Sequence, residues 1–230
     1  MKKLPFKMQQ KSEIEKWRAD TFWTKEPETI KWIDGFDGGV FYDIGANVGI
    51  YSLYCASVHP DMKIMAVEPQ WQNYLPLCSN INENGFNIKP VAAGVGARSG
   101  LFGFSGYEKI AGASGGQVCF DLKLDGFDVF LYTLDSIIGK YVDGVPDYIK
   151  IDIDGQELAV LQGATETLKT VKSVLVEAHI KDLAEIASLM MQAGFAPDPK
   201  YNLISPHSRE RRKVECISEE NIIYTKKELL

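Results

Sequence analysis

Hydrophobic positions along this chain alternate between two spacings. Short apolar runs at Gly39–Ile44, Lys63–Val67 and Ile88–Val95 have the length of buried strands. Longer runs lie between them. Val48–Val58 is apolar almost all round, as a helix packed on a sheet must be, and Trp71–Asn84 is a second helix, stopped by Gly85. The same alternation resumes later. Asp147–Ile153 is a strand, Glu157, Leu161, Ala164 and Leu168 share a helical face, and Ser173–Ala178 is a strand. Asp182 with Glu185 predicts a capped helix carrying the stripe Leu183, Ile186, Ala187 and Met190, ended by Gly194. Extended runs near Tyr201–Ile204 and Asn221–Thr225, with Arg209–Lys213 between them, predict a closing hairpin. Strands alternating with helices predict an α/β fold on a largely parallel sheet.

Two regions break the pattern. At the start, Ser12 with Glu15 fits a capping box, with Ile14 and Trp17 on one face, and Pro27 opens a second short helix ending at Gly35. Residues 1–36 are therefore expected to form a helical region beside the ligand pocket, ahead of a main domain at 37–230. Between about 97 and 144, glycines alternate with Phe102, Phe104 and Tyr107, and Val118–Leu122 and Phe127–Leu131 read as short extra strands. This insertion before the fourth strand is either a lid or substrate wall, or an edge-strand embellishment.

Composition narrows the classes. At 230 residues with 45% apolar content the chain can bury a core. A net charge of -6 argues against a general nucleic-acid binder, which needs a basic face. No apolar run approaches the roughly 18 residues of a membrane span, and the start lacks a signal-peptide pattern. Cys55, Cys78, Cys119 and Cys216 form no CxxC pair and read as reduced thiols of a cytoplasmic protein.

The candidate chemistry collects at strand ends, where open α/β sheets bind ligands. The first strand ends at Asp43, the second at Glu68, the fourth at Asp152 and Asp154, the fifth at Glu177 and His179. Period two puts Lys150, Asp152 and Asp154 on one face while the strand lasts, and likewise Glu177 and His179. After Asp43 comes a turn, Gly45-Ala46-Asn47-Val48-Gly49, whose glycines admit a close ligand and whose Asn47 tolerates positive φ. A dinucleotide fingerprint would set pyrophosphate here, and Asp43 would repel it. Glu68 has two acceptor oxygens for the two hydroxyls of a ribose. S-adenosylmethionine, with a ribose, a cationic sulfonium and no phosphate, meets both conditions. Gly45, Asn47, Gly49, Pro69 and Asp152 complete the expected cofactor set.

The order Asp43-Ile-Gly-Ala-Asn-Val-Gly49, Val67-Glu68-Pro69, Asn80 with Asn84, Thr133-Leu-Asp135, Lys150-Ile-Asp-Ile-Asp-Gly-Gln-Glu157 and Val176-Glu177 resembles the FkbM-type family of S-adenosylmethionine-dependent methyltransferases, over roughly residues 38–226. The resemblance implies a class I methyltransferase (Rossmann-like) fold with a seven-stranded, mostly parallel sheet, helices on both faces and an antiparallel last strand. It also implies O-methylation of a sugar, glycan or sugar-containing metabolite, with S-adenosylhomocysteine as product. Asp154 stands where that family usually has a glutamate, which draws any reactive oxygen back by about one methylene.

Methyl transfer is largely positioning, helped by a base for the acceptor proton. Asp152, Asp154 and His179 are the candidates, with Asp152 nearest the methyl and His179 as base or orienter. Lys150 is equally able to pair with Asp152 or Glu177 in a structural ion network. Asp152, Asp154, Glu157, Glu177 and His179 offer donors for a divalent metal, but without diagnostic spacing a metal is not favoured. Trp71, Tyr74, Phe41 and Tyr42 are candidates for stacking on adenine or for the core. A nicotinamide-dependent oxidoreductase and a catalytically idle binding module are the alternatives.

Overall fold

The computed structural model describes residues 2–119, 126–201 and 219–230. Helix α1 (Glu13–Lys25) begins in the expected capping box. The Ser12 hydroxyl accepts from the Glu15 amide at 3.0 Å, and Glu15 accepts from the Ser12 amide at 2.8 Å. Pro27 opens α2 (Pro27–Asp34), where its missing N–H costs nothing.

Strand β1 (Val40–Ile44), helix α3 (Ile50–Val58), strand β2 (Lys63–Val67), helix α4 (Trp71–Asn84) and strand β3 (Ile88–Val91) build the first half of the sheet. Strand β4 (Gly94–Val95) then leaves it. The expected third strand, Ile88–Val95, is thus two strands in two sheets. The Ala93 amide folds back onto the Val91 carbonyl at 3.1 Å, which breaks the extended run. β5 (Gly100–Ser105), β6 (Gln117–Cys119) and β7 (Phe127–Tyr132) follow. With β4 they form a four-stranded sheet in the order β4-β7-β5-β6. β5 is antiparallel to both neighbours, and Phe104, Val129 and Leu131 make its small core.

Helix α5 (Leu134–Ile137) leads to β8 (Tyr148–Ile151), followed by α6 (Glu157–Gln162), α7 (Thr167–Thr170), β9 (Ser173–His179), α8 (Leu183–Gln192), β10 (Phe195–Pro197) and β11 (Glu219–Lys226). The main sheet runs β10-β11-β9-β8-β1-β2-β3. β1, β2, β3, β8 and β9 are mutually parallel, and β11 is antiparallel to both β9 and β10. This is the class I methyltransferase arrangement, with an antiparallel final strand.

Both faces of the sheet are covered, so β1 is buried at every position. Tyr42, Ile44, Met65, Val67, Ile149, Ile151, Val174 and Val176 pack on one side with Val160, Leu161, Ile186 and Met190. Phe41, Ile64, Ala66 and Leu175 pack on the other with Phe22, Trp32, Leu53 and Leu77.

Three sequence expectations are corrected. Asp182 makes no side-chain cap to α8, because a 3-10 turn over Ile180–Asp182 runs into the helix and holds Asp182 in helical geometry. The antiparallel partner of the last strand is Phe195–Pro197, while 202–204 and the charged run 209–213 lie outside the described residues, as does Cys216. β8 ends at Ile151, two residues earlier than expected, so Asp152 and Asp154 sit in the turn beyond it. No described helix is long and apolar enough to cross a membrane.

Candidate active site

The turn after β1 is built by close contact. At Gly45, φ is +81°, and an added Cβ would lie 1.8 Å from the Asp152 carbonyl oxygen. Only glycine lets β1 and β8 end side by side here. Asn47 takes φ +52° as expected, and its amide donates to Glu68 Oε2 at 2.9 Å. Glu68 Oε1 accepts from the Gln70 amide at 2.9 Å. The carboxyl of Glu68 is thus fixed by two backbone donors in a nearly dry place. Burial pushes it up to about 7, against these two hydrogen bonds.

A cavity opens over the carboxyl ends of β2, β1, β8 and β9. Of the residues singled out in the sequence, Gly45, Asn47, Glu68, Pro69, Asp152 and Asp154 line it. Asp43 and Gly49 do not. Asp43 is buried beneath the turn, where Oδ2 accepts from the Ser52 hydroxyl at 2.6 Å and Oδ1 has no partner among the described residues. Burial raises its carboxyl, and the Lys150 ammonium, on the residue opposite in β8, opposes that. Gly49 starts α3 in left-handed geometry, over Leu77.

His179 is not among the lining residues. It shares a strand face with Glu177 but lies two residues farther on, about 6.6 Å along the strand. Its Nδ1 accepts from the Lys181 amide at 3.2 Å, capping the 3-10 turn. Glu177 itself lines the cavity.

Asp152 is the hub of an ion network. Its Oδ2 accepts from Lys150 Nζ at 2.5 Å, and Lys150 is 1% exposed. Glu177 lies beside Asp152, one step past the Ile151–Val176 pair that joins β8 to β9. Burial works to raise Asp152, but Lys150, Glu177 and Lys25 outweigh it and hold the carboxyl well below its ordinary range. Glu177 goes the other way, pushed well above the carboxylate range by the charge of Asp152 and then by burial. Burial also raises Asp154, whose Oδ2 accepts from the Gly115 amide at 2.8 Å. Glu157 is buried, and its Oε1 holds the turn by accepting from Ile153 and Gly155.

Three contributors carry no local sequence signal. Arg18 and Lys25 reach the cavity from α1. Glu26, 4% exposed, pairs with Lys25 and accepts from the Tyr51 hydroxyl at 2.7 Å. The N-terminal region does stand beside the pocket, but no spacing announces which charges it delivers. Trp71 and Tyr74 pack edge to face on each other away from the cavity, and Phe41 and Tyr42 are core residues. Among the described residues, the aromatic ring in the wall is Phe104.

The segment at 111–116 closes one side of the cavity and, besides Asp154 at Gly115, is tied down by four side chains. Ser12 Oγ donates to Ala111 O, and Arg18 Nε to Gly112 O, at 2.7 and 2.6 Å. Asn47 and Asn73 both donate to Ala113 O at 2.9 Å. So the insertion supplies a fixed wall. Among the described residues, no three His, Cys, Asp or Glu side chains converge as metal ligands would.

The donor set suits S-adenosylmethionine. Acceptor oxygens stand at Glu68, the carboxylates of Asp152 and Asp154 line the cavity together with the cations Arg18 and Lys25, and an unpartnered carboxylate oxygen lies beneath the turn.

Comparison with known proteins agrees with this geometry. A family profile described as Methyltransferase FkbM domain matches residues 43–197. The chain is 29% identical over 166 residues to Methyltransferase sdnD of Sordaria araneosa, covering 59% of this chain and 64% of that one. It is 25% identical over 155 residues to Hexuronic acid methyltransferase AglP of Haloferax volcanii, covering 67% and 62%. The chain therefore spans less than two thirds of the length of either relative. Among solved structures, Aeropyrum pernix fibrillarin in complex with natively bound S-adenosyl-L-methionine has a TM-score of 0.51 at 15% identity, over 87% of this chain and 75% of that one. The ribosomal protein L11 methylase of Lactobacillus delbrueckii subsp. bulgaricus has a TM-score of 0.50 at 10% identity, over 86% and 77%. Both share the fold.

Proposed function

From the premise that this chain belongs to the FkbM methyltransferase family, and is a S-adenosylmethionine-dependent methyltransferase, we propose that it methylates a hydroxyl of a sugar, glycan or sugar-containing metabolite. The observation that carries this reading is the polarity of one cavity from end to end. A buried, doubly anchored carboxyl at Glu68 lies at one end, and Asp152 after β8 and Glu177 on β9, the next two strands beyond β1, lie at the other. The acidic balance of the chain speaks for a small hydroxylated acceptor rather than a nucleic acid. The named substrate of the Haloferax relative, a hexuronic acid, supports a sugar.

Glu68 accepts from the ribose hydroxyls, with Asn47 and Pro69 shaping the same wall. Gly45 lets the cofactor approach the backbone closely. The bound cofactor supplies an electrophilic methyl group on a positively charged sulfur. Asp152 keeps a negative charge beside the reacting centre and orients the acceptor, with Lys150 fixing its position. Asp154 holds the wall at Gly115. Arg18 and Lys25 are cations suited to the cofactor carboxylate or to an acidic sugar.

The test is transfer of a ¹³C-labelled methyl group to a panel of uronic acids and neutral glycosides, with the product read by NMR. An O-methyl signal on a sugar is the expected result. Methylation confined to amines or RNA would overturn the proposal.

A further inference from the structure

Methylating a hydroxyl leaves one proton to be removed, and the chain must place an acceptor for it. The residues at the β8–β9 end of the cavity differ in their fitness for that task. Asp152 is occupied by the Lys150 ammonium at 2.5 Å and by Glu177, so it stays ionised and binds a further proton poorly. Asp154 is turned to the Gly115 amide, and His179 is off the cavity.

Glu177 is placed differently. It lines the cavity from β9 beside Asp152, one step past the Ile151–Val176 pair of the two strands. Two neighbouring carboxylates repel when both are ionised, so one of them keeps a proton. The charged groups that bear on Glu177 are Asp152 and Lys150 on β8 and Glu26 and Lys25 at the junction of α1 and α2, and Asn221 lies opposite on β11. The negative charge of Asp152, with burial, keeps the proton on Glu177. A carboxyl whose proton is driven off by a nearby cation regains its proton affinity as that positive charge is lost.

We propose that Glu177, the cavity carboxyl beside Asp152, is the catalytic base of the transfer, freed of its proton when a cation binds in the cavity. S-adenosylmethionine carries that cation on its sulfur, and S-adenosylhomocysteine does not. The acceptor oxygen then bonds to the methyl carbon, the carbon–sulfur bond breaks with its electron pair left on sulfur, and the hydroxyl proton passes to the Glu177 carboxylate.

Calorimetric titration in phosphate and in Tris, near pH 7, counts the protons released on binding. S-adenosylmethionine is expected to release up to about one proton per chain more than S-adenosylhomocysteine, and the difference is expected to vanish in Glu177→Gln. Asp43, Glu68 and Asp154 are unchanged in that variant, so the comparison isolates Glu177. Equal release by the two ligands in the wild type, or a difference that survives in Glu177→Gln, would overturn the proposal. A second measurement does not depend on the variant. With ¹³C-carboxyl-labelled glutamate, Glu177 in the free enzyme is expected to titrate above the ordinary carboxylate range, and an ordinary titration overturns the proposal as well. The inference rests on the hydroxyl-acceptor reading, but neither measurement uses an acceptor. A failed sugar screen beside a positive proton count would therefore overturn the acceptor and leave the base.

Discussion

Replacing Glu68 by Gln separates the cost of a buried charge from its use. The carboxyl stands at about 7 in the folded protein against an ordinary value of 4.5, because burial outweighs two backbone hydrogen bonds. The folded state therefore holds this proton where the unfolded chain has lost it. Stability from this group is fully present below about pH 4.5 and falls as pH rises to about 7. Between pH 5 and pH 8 the loss amounts to about 2.5 kcal/mol. Gln cannot ionise, so it escapes that loss. It does set an NH₂ against one of the amides of Asn47 and Gln70, at about 1–3 kcal/mol, a penalty that does not change with pH. Urea unfolding of both proteins across this range removes the pH-independent part. Glu68→Gln should gain about 2.5 kcal/mol relative to wild type from pH 5 to pH 8. Its affinity for S-adenosylhomocysteine should be at least about tenfold weaker at pH 8, from one lost charge-assisted bond. Wild-type affinity should strengthen as pH rises through 7. A stability difference that is flat with pH, together with normal cofactor affinity in the variant, would refute this account of Glu68.

Other consequences follow from named contacts. Asp152→Asn should cut methyl transfer by about 100-fold or more while leaving S-adenosylhomocysteine binding nearly intact by calorimetry, and full turnover would remove Asp152 from the mechanism. Lys150→Met should destabilise the fold by about 3–5 kcal/mol in urea, because it leaves Asp152 without its buried partner; a loss under about 1 kcal/mol would mean that the ion pair is incidental. Gly45→Ala places a Cβ 1.8 Å from the Asp152 carbonyl oxygen at φ +81°, so the turn after β8 must shift. That variant should lose stability by a few kcal/mol and cofactor binding together, and near-normal values of both would contradict the close contact.

Local grammar was legible in the sequence where it decides structure. β2 and α4 fall at their expected residues because each has its own apolar period and a clear stop, Gly85 for α4. The Ser12 box, the turn at Gly45 and Asn47, and Glu68 at the end of β2 need only near neighbours. What long-range packing decides was hidden. Lys25 and Glu26 reach the site only because α1 and α2 dock beside α3, through Tyr51. The break between β3 and β4 comes from the second sheet drawing Gly94 and Val95 toward β7. His179 reads as a site residue from its period, but the chain turns away at Ile180 before it reaches the cavity. Glu177 was visible as a strand-end acid, yet its place beside Asp152 depends on the β8–β9 register.

The central claim is that one cavity holds the cofactor ribose at Glu68 and the reacting sulfur toward the Asp152–Glu177 pair. A crystal structure with S-adenosylhomocysteine tests it most directly. The account predicts both ribose hydroxyls within hydrogen-bond distance of the Glu68 carboxyl and the sulfur on the side of Asp152. A ribose bound away from Glu68, or a sulfur turned away from the carboxyl pair, would contradict it.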